Sequence, residues 1–357
     1  VLLAAAFLAT YSPAFSQTAP AKATKWAVPR MADGHPDLQG VYDVATITPV
    51  ERPMGAAGPT MTKEQAMKVE NAAAGNREKG DAPVDPNRPA PPKGGDGSRG
   101  AAGNVGGYNS GWLDPGSKVN IVNGEYRTSI VVDPPNGHVP PVSDEARSRM
   151  RAGRGRPTSD AGESNDPGLD PMPGAYDDPE RRPLGERCLL GFGSTSGPPI
   201  LPDYFYNNLH QIVQTKDTVM ILTEMVHDAR VVRMNGEHLP KNIRLWLGDS
   251  VGHWEGDTLV VDTTNFTDKT RFRGSTENLH VTEYFTRVGP RELLYRFTID
   301  DPATWSKPWT GEYTWPLTNE RIYEYACHEA NYALGDILRG ARLREKEAAE
   351  ATTKPAK

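Results

Sequence analysis

The chain has 357 residues, a net charge of −6 and a pI of about 5.8. That charge is spread out, with no basic face of the kind that binds nucleic acid, so the composition excludes that class of partner. Hydrophobic residues are only 37% of the sequence, while Gly (35) and Pro (32) are plentiful, so a packed domain must alternate with long irregular segments.

Residues 1–17 read VLLAAAFLATYSPAFSQ. A short apolar core, the helix-breaking Pro13 and the triplet Ala14-Phe15-Ser16 predict a signal peptide over residues 1–16. A periplasmic or secreted protein is the expectation. The run is too short to span a bilayer and no later stretch is apolar enough, so no membrane span is expected. The two cysteines are Cys188 and Cys327. In an oxidising compartment such a pair is most simply a disulfide, with a reactive thiol as the alternative. Closing so long a loop contributes about 4–5 kcal/mol in the chain-entropy picture.

Residues 17–186 read as an extended N-terminal arm. Asp33-Gly34 marks a turn, Pro36 blocks helix, and Gly40-Val41-Tyr42 starts an extended piece. Thr62 caps an expected helix over 62–75. The segment 76–107 has almost no large apolar side chain and is expected to be disordered, because it cannot offset its ordering entropy. Asn123-Gly124 signals a two-residue hairpin between 120–122 and 125–132. A capped helix is expected over 143–151.

From residue 187 to 335 strands dominate. They are expected at 209–214, 219–224, 229–234, 243–247, 258–263, 280–288, 293–299, 305–315 and 322–327. This spacing without intervening helices predicts a mainly β domain, an antiparallel barrel or sandwich. A C-terminal helix and tail over 336–357, with the helix starting near Tyr332, completes the chain.

The densest polar stretch of that block is 219–232. In a regular strand Glu224, Asp228 and Arg230 share one face, and His227 lies on the other. A bulge at His227-Asp228 would re-aim them. One reading pairs Arg230 with Glu224 or Asp228 on a solvated face. The other places Glu224, His227, Asp228 and Arg230 as a catalytic cluster in a barrel mouth, with His227 or Glu224 as general base and Arg230 as an anion clamp. His253, Trp254 and His280 join Arg230 as candidate ligand contacts.

Residues 246–268 also draw the eye. Gly248-Asp249-Ser250-Val251-Gly252 matches the spacing of a nucleophile elbow, but a strand follows where a helix is needed. Its glycines lack the Lys of a phosphate loop. The stretch reads instead as a turn launching a core strand. His227, His253, His280 and His328 are the weak metal candidates; none sits at a local ligand spacing, so neither metal nor cofactor is expected. The aromatics between 297 and 325 are mostly core, and some could line an apolar ligand cavity.

Together, PRMADGHPDLQGVYD, RTSIVVDPPNGHVPP, TEMVHDARVV, WLGDSVGHWEGDTLVVDTTNFTDKT, HVTEYFTRV, YRFTIDDPATWSKPWT and YEYACHEANY resemble a large family of exported, functionally uncharacterised bacterial proteins. The resemblance implies an exported β-rich domain and carries no catalytic residues with it. Gly252, Trp254, Gly256 and Asp257 also look like the strand entry of lipocalin-like barrels, which favours a barrel. The leading expectation is a protein that binds a small, partly apolar molecule in a barrel pocket. The alternatives are a periplasmic lyase, isomerase or hydrolase using the 224–230 cluster, and an envelope interaction protein without a pocket.

Overall fold

A computed structural model describes residues 26–81, 114–152, 176–191, 197–202, 206–269, 272–329 and 331–353. In chain order these form β1 (Gly40–Asp43), β2 (Thr60–Met61), α1 (Lys63–Asp81), β3 (Ile121–Val122), β4 (Glu125–Arg127), β5 (Val131–Asp133) and α2 (Asp144–Ala152). The strand block follows: β6 (Leu209–Gln214), β7 (Thr218–Thr223), β8 (Ala229–Met234), β9 (Asp249–Glu255), β10 (Thr258–Thr264), β11 (His280–Gly289), β12 (Glu292–Asp300) and β13 (Trp309–Thr318). The helix α3 (Tyr332–Thr353) ends the described chain. No helix among the described residues is long and apolar enough to cross a membrane. The expected signal peptide, and residues 82–107 of the expected disordered segment, lie outside the described residues.

Sheet order β1-β6-β7-β8-β9-β10-β11-β12-β13 closes on itself through β13–β1, giving a nine-stranded barrel, and β5 adds to β13. Neighbours are antiparallel except β8 and β9, which run parallel with Val232 opposite Ser250. The barrel is therefore mixed, not wholly antiparallel. A parallel pair requires a crossover, and residues 235–248 supply it outside the wall. A strand expected at 243–247 is absent for this reason: a closed barrel offers it no free edge, and only an isolated bridge, Leu245 to Phe266, forms. Residues 322–327 likewise form no strand, because β1 already completes the pairing of β13.

Two further expectations are corrected. The first helix runs on to Asp81, so 76–81 are helical. The Asn123-Gly124 turn forms with both residues at positive φ, 53° and 80°, as a type I′ turn requires. Its second strand, however, stops at Arg127, and the chain resumes as β5 on the barrel.

The inward face is set by period-two alternation. Val281, Glu283, Phe285 and Arg287 are buried along β11, and Leu293, Tyr295, Phe297 and Ile299 along β12. Aromatic rings fill the centre: Tyr295 lies 4.5 Å from Trp315 and 5.1 Å from Phe285, and Phe297 meets Trp309 edge-on at 5.8 Å. The N-terminal arm closes one end. Leu38 is fully buried there; its N–H donates to Gln214 Oε1 at 3.1 Å, and Arg287 donates to the Asp37 carbonyl at 3.0 Å. His35 stacks on Trp254 at 4.9 Å. Residues 197–202 also enter the core, led by the fully buried Ile200. A disulfide joins Cys188 to Cys327, with Cα atoms 5.8 Å apart, and so ties the segment before β6 to the one after β13.

Candidate functional site

The turn between β7 and β8 decides where the expected cluster goes. Val226 and His227 both adopt positive φ, 63° and 55°, a conformation costly for residues with a Cβ and more so for a β-branched one. The strand is interrupted by a single 3-10 turn, Met225–His227, so Glu224, Asp228 and Arg230 no longer share a face. Glu224 is buried and accepts the Tyr323 N–H at 3.0 Å. His227 is exposed and faces the Tyr323 carbonyl at 3.2 Å and the Tyr325 N–H. Asp228 is half-buried. Glu224 and His227 thus fasten residues 323–325 to the barrel. Near Glu224, the Asp43 carboxyl is pushed up to about 6 by burial, with Asp114, Glu320 and Glu224 adding repulsion.

Arg230 alone turns inward. It pairs with neither Glu224 nor Asp228, but with Glu283 of β11, through both guanidinium nitrogens, Nη2 donating to Oε1 at 2.8 Å. The side chains are 3% and 0% exposed. Tyr295 OH donates to the same carboxylate at 2.8 Å and accepts the Ile200 N–H at 2.9 Å; Tyr313 OH donates to the Ile200 carbonyl at 3.0 Å. Burial, reinforced by the Glu283 charge, holds the Tyr295 hydroxyl well above its ordinary pKa. Three donors in this interior, Arg230 Nε, Trp309 Nε1 and Trp315 Nε1, are buried without a hydrogen-bond partner among the described residues. Glu283 was missed in the sequence, yet alternation along 280–288 places it between Val281 and Phe285, an acid on an apolar face.

A second constellation lies outside the wall, under the crossover. His280 Nε2 contacts Asp262 at 2.5 Å, and His238 Nε2 contacts the other oxygen of Asp262 at 2.8 Å. His238 Nδ1 contacts Asp249 at 3.0 Å, and Arg233 donates to Asp249 at 2.7 Å. Both contacts of His238 are hydrogen bonds only when its ring carries two protons. Burial alone would raise Asp249 and Asp262, but hydrogen bonds from Arg233 and His280 respectively hold them below the usual carboxylate range. The bond to Asp262 lifts His280 above its ordinary value, against partial burial. Of these residues His280 is a candidate from sequence, and His238 counts there only as one of the strand-block histidines that different strands could bring together. His238 on a loop, and Asp249 and Asp262 at outward strand positions, come together only through the parallel pairing.

The remaining candidates stand apart. His253 is exposed beside Glu255 at 3.1 Å, Trp254 is half-buried beneath His35, and His328 is exposed. Ser250, the serine of the elbow-like spacing, bonds Thr263 at 2.9 Å inside the barrel, and among the described residues its side-chain partners are Thr263 and Arg230, not a histidine. Among the described residues no group of three or more His, Cys, Asp or Glu is placed to hold a metal ion. Compared with known proteins, the chain matches no family model, no curated protein and no solved structure.

Two outcomes follow. Glu283→Gln leaves Arg230 buried without its counter-charge and is expected to cost about 3–5 kcal/mol, whereas Arg230→Met with Glu283→Leu restores much of that loss. Urea unfolding measures both; a cost below about 1 kcal/mol for the single change would remove the pair from its structural role. The His280–Asp262 contact gives a pH window. The raised His280 stabilises fully below the ordinary histidine value, about 6.5, and loses its contribution as pH rises through its folded value. The lowered Asp262 stabilises fully above about 3.9 and loses its contribution as pH falls. In Asp262→Asn the NMR titration midpoint of His280 should fall; an unchanged midpoint would contradict the contact.

Proposed function

We propose that this is an exported binding protein whose barrel takes a small, partly apolar molecule bearing hydrogen-bond acceptors. The signal-like start and the Cys188–Cys327 disulfide support export to an oxidising compartment. The observation that carries the binding reading is the set of unpartnered interior donors on Arg230, Trp309 and Trp315. Leaving a buried donor unmatched costs about 1–3 kcal/mol, so such groups in a native interior call for an acceptor. Aromatic side chains with a few convergent polar groups are the usual lining of small-molecule sites, although here the rings pack against one another and a ligand must part them. The test is calorimetry of the full chain against apolar carboxylates, ketones and amides. A ligand of this class should bind saturably, and Trp315→Phe, which keeps an aromatic ring but removes the indole N–H and part of the side chain, should weaken it about tenfold. No saturable binding by any of the three chemistries would sink the reading.

A second reading, an acid–base enzyme, is favoured by one observation. His280 is oriented by Asp262 while its side chain stays 42% exposed, the arrangement of a general base held by a carboxylate. Activated esters and substrates with β-leaving groups probe the hydrolase and lyase versions. Turnover that disappears in folded His280→Gln would support it; turnover that survives would end it.

A further inference from the structure

We propose that the occupant this barrel is built to take is an apolar peptide segment, and that residues 197–202 sit in its place as a tethered stand-in. The inference rests on the reading above that the barrel interior takes a ligand, but works through the Tyr295 and Tyr313 hydroxyls; the Arg230 Nε, Trp309 Nε1 and Trp315 Nε1 donors stay unmatched among the described residues with residues 197–202 in place. Ile200 is held as a ligand would be. Its side chain is fully buried in the aromatic core, and Pro198, Pro199, Leu201 and Pro202 are buried around it. Its main chain belongs to no strand ladder. Instead its N–H goes to the Tyr295 hydroxyl and its carbonyl receives the Tyr313 hydroxyl, at 2.9 and 3.0 Å. The Tyr295 hydroxyl is itself fixed by Glu283, and Glu283 by Arg230.

A plug that merely filled space would need only rings, and phenylalanine supplies those. Hydroxyls aligned to read one donor and one acceptor of a single residue recognise a main-chain amide beside a branched aliphatic group. Side chains also hold a second length of chain without strand pairing, at the barrel's surface, where Tyr323 is 69% exposed. Glu224 takes the Tyr323 N–H, and His227 faces the Tyr323 carbonyl and Tyr325 N–H. Because residues 197–202 lie close in sequence to β6, their effective concentration is high, and an external segment must compete against it.

The test weakens the tethered segment in the full chain and supplies the peptide from outside. Ile200→Gly protein is titrated with the acetylated, amidated hexapeptide Gly-Pro-Pro-Ile-Leu-Pro by calorimetry and by tryptophan fluorescence. Saturable single-site binding is expected, at least about tenfold tighter than to the unaltered chain. Adding Tyr295→Phe should lower the affinity about tenfold. If Ile200→Gly fails to fold, Ile200→Ala serves the same comparison. A folded variant that ignores the peptide but still binds an acceptor-bearing small molecule overturns this inference and leaves the binding function standing. A variant that binds neither overturns both, and equal affinity in the variant and the unaltered chain overturns the stand-in.

Discussion

Placing a guanidinium and a carboxylate among aromatic rings carries a desolvation cost of several kcal/mol per ion, which only close pairing and further hydrogen bonds can offset. The Arg230–Glu283 pair meets this condition by a bidentate contact, with Tyr295 donating to the same carboxylate and Ser250 3.5 Å from the guanidinium. The rest of the interior is arranged around it. Tyr295 cannot swing away without exposing Glu283 to hydrocarbon, so its hydroxyl is fixed, and a fixed hydroxyl can hold the Ile200 amide. The charge pair thereby determines how residues 197–202 enter the barrel, although neither ion touches them in the hydrogen bonds observed.

The parallel step between β8 and β9 has a comparable reach on the outside. Antiparallel neighbours would have needed a short turn. Parallel ones require the 235–248 crossover, and its path brings His238 between Asp249 and Asp262. The crossover is also held by main chain: Asn265 Nδ2 donates to the Leu239 carbonyl at 2.9 Å, and the Leu245 N–H to the Asn265 carbonyl at 2.9 Å. A loop of this length, held by ionisable groups at His238 and by amide contacts at Leu239 and Leu245, links the wall's pairing pattern to a set of perturbed titrating groups. Perturbed groups are common at functional sites, though structural ion pairs produce them as well.

Most of the wall was legible because period-two alternation is local. Residues 280–288 and 293–299 betray their inward faces without any knowledge of partners, and Asn123-Gly124 betrays its turn. What was not legible depends on distant pairing. The absence of strands at 243–247 and 322–327 follows from a barrel that closes through Gly40–Asp43, a piece more than 160 residues upstream of β6. Those two stretches have strand-like composition, but no edge remains for them. The candidate site divides in the same way. Arg230 could be singled out as a cation in an apolar run, and Glu283 as an acid on an apolar face. That they are partners is a fact about β8 and β11, which lie on different sides of the β9–β10 hairpin.

The backbone at Val226 and His227 connects these observations. Two successive non-glycine residues at positive φ cost of order 1–3 kcal/mol each and persist only where their surroundings over-determine them. A regular strand through this region would have kept Glu224, Asp228 and Arg230 on one face. Either all three would enter the barrel, with more carboxylates than one arginine can match, or all three would face outward and leave Glu283 buried alone. The turn separates them. It sends the cation to Glu283 and leaves Glu224 and His227 to grip the chain that follows β13. Local strain at one turn is therefore the condition for a single matched ion pair inside the barrel.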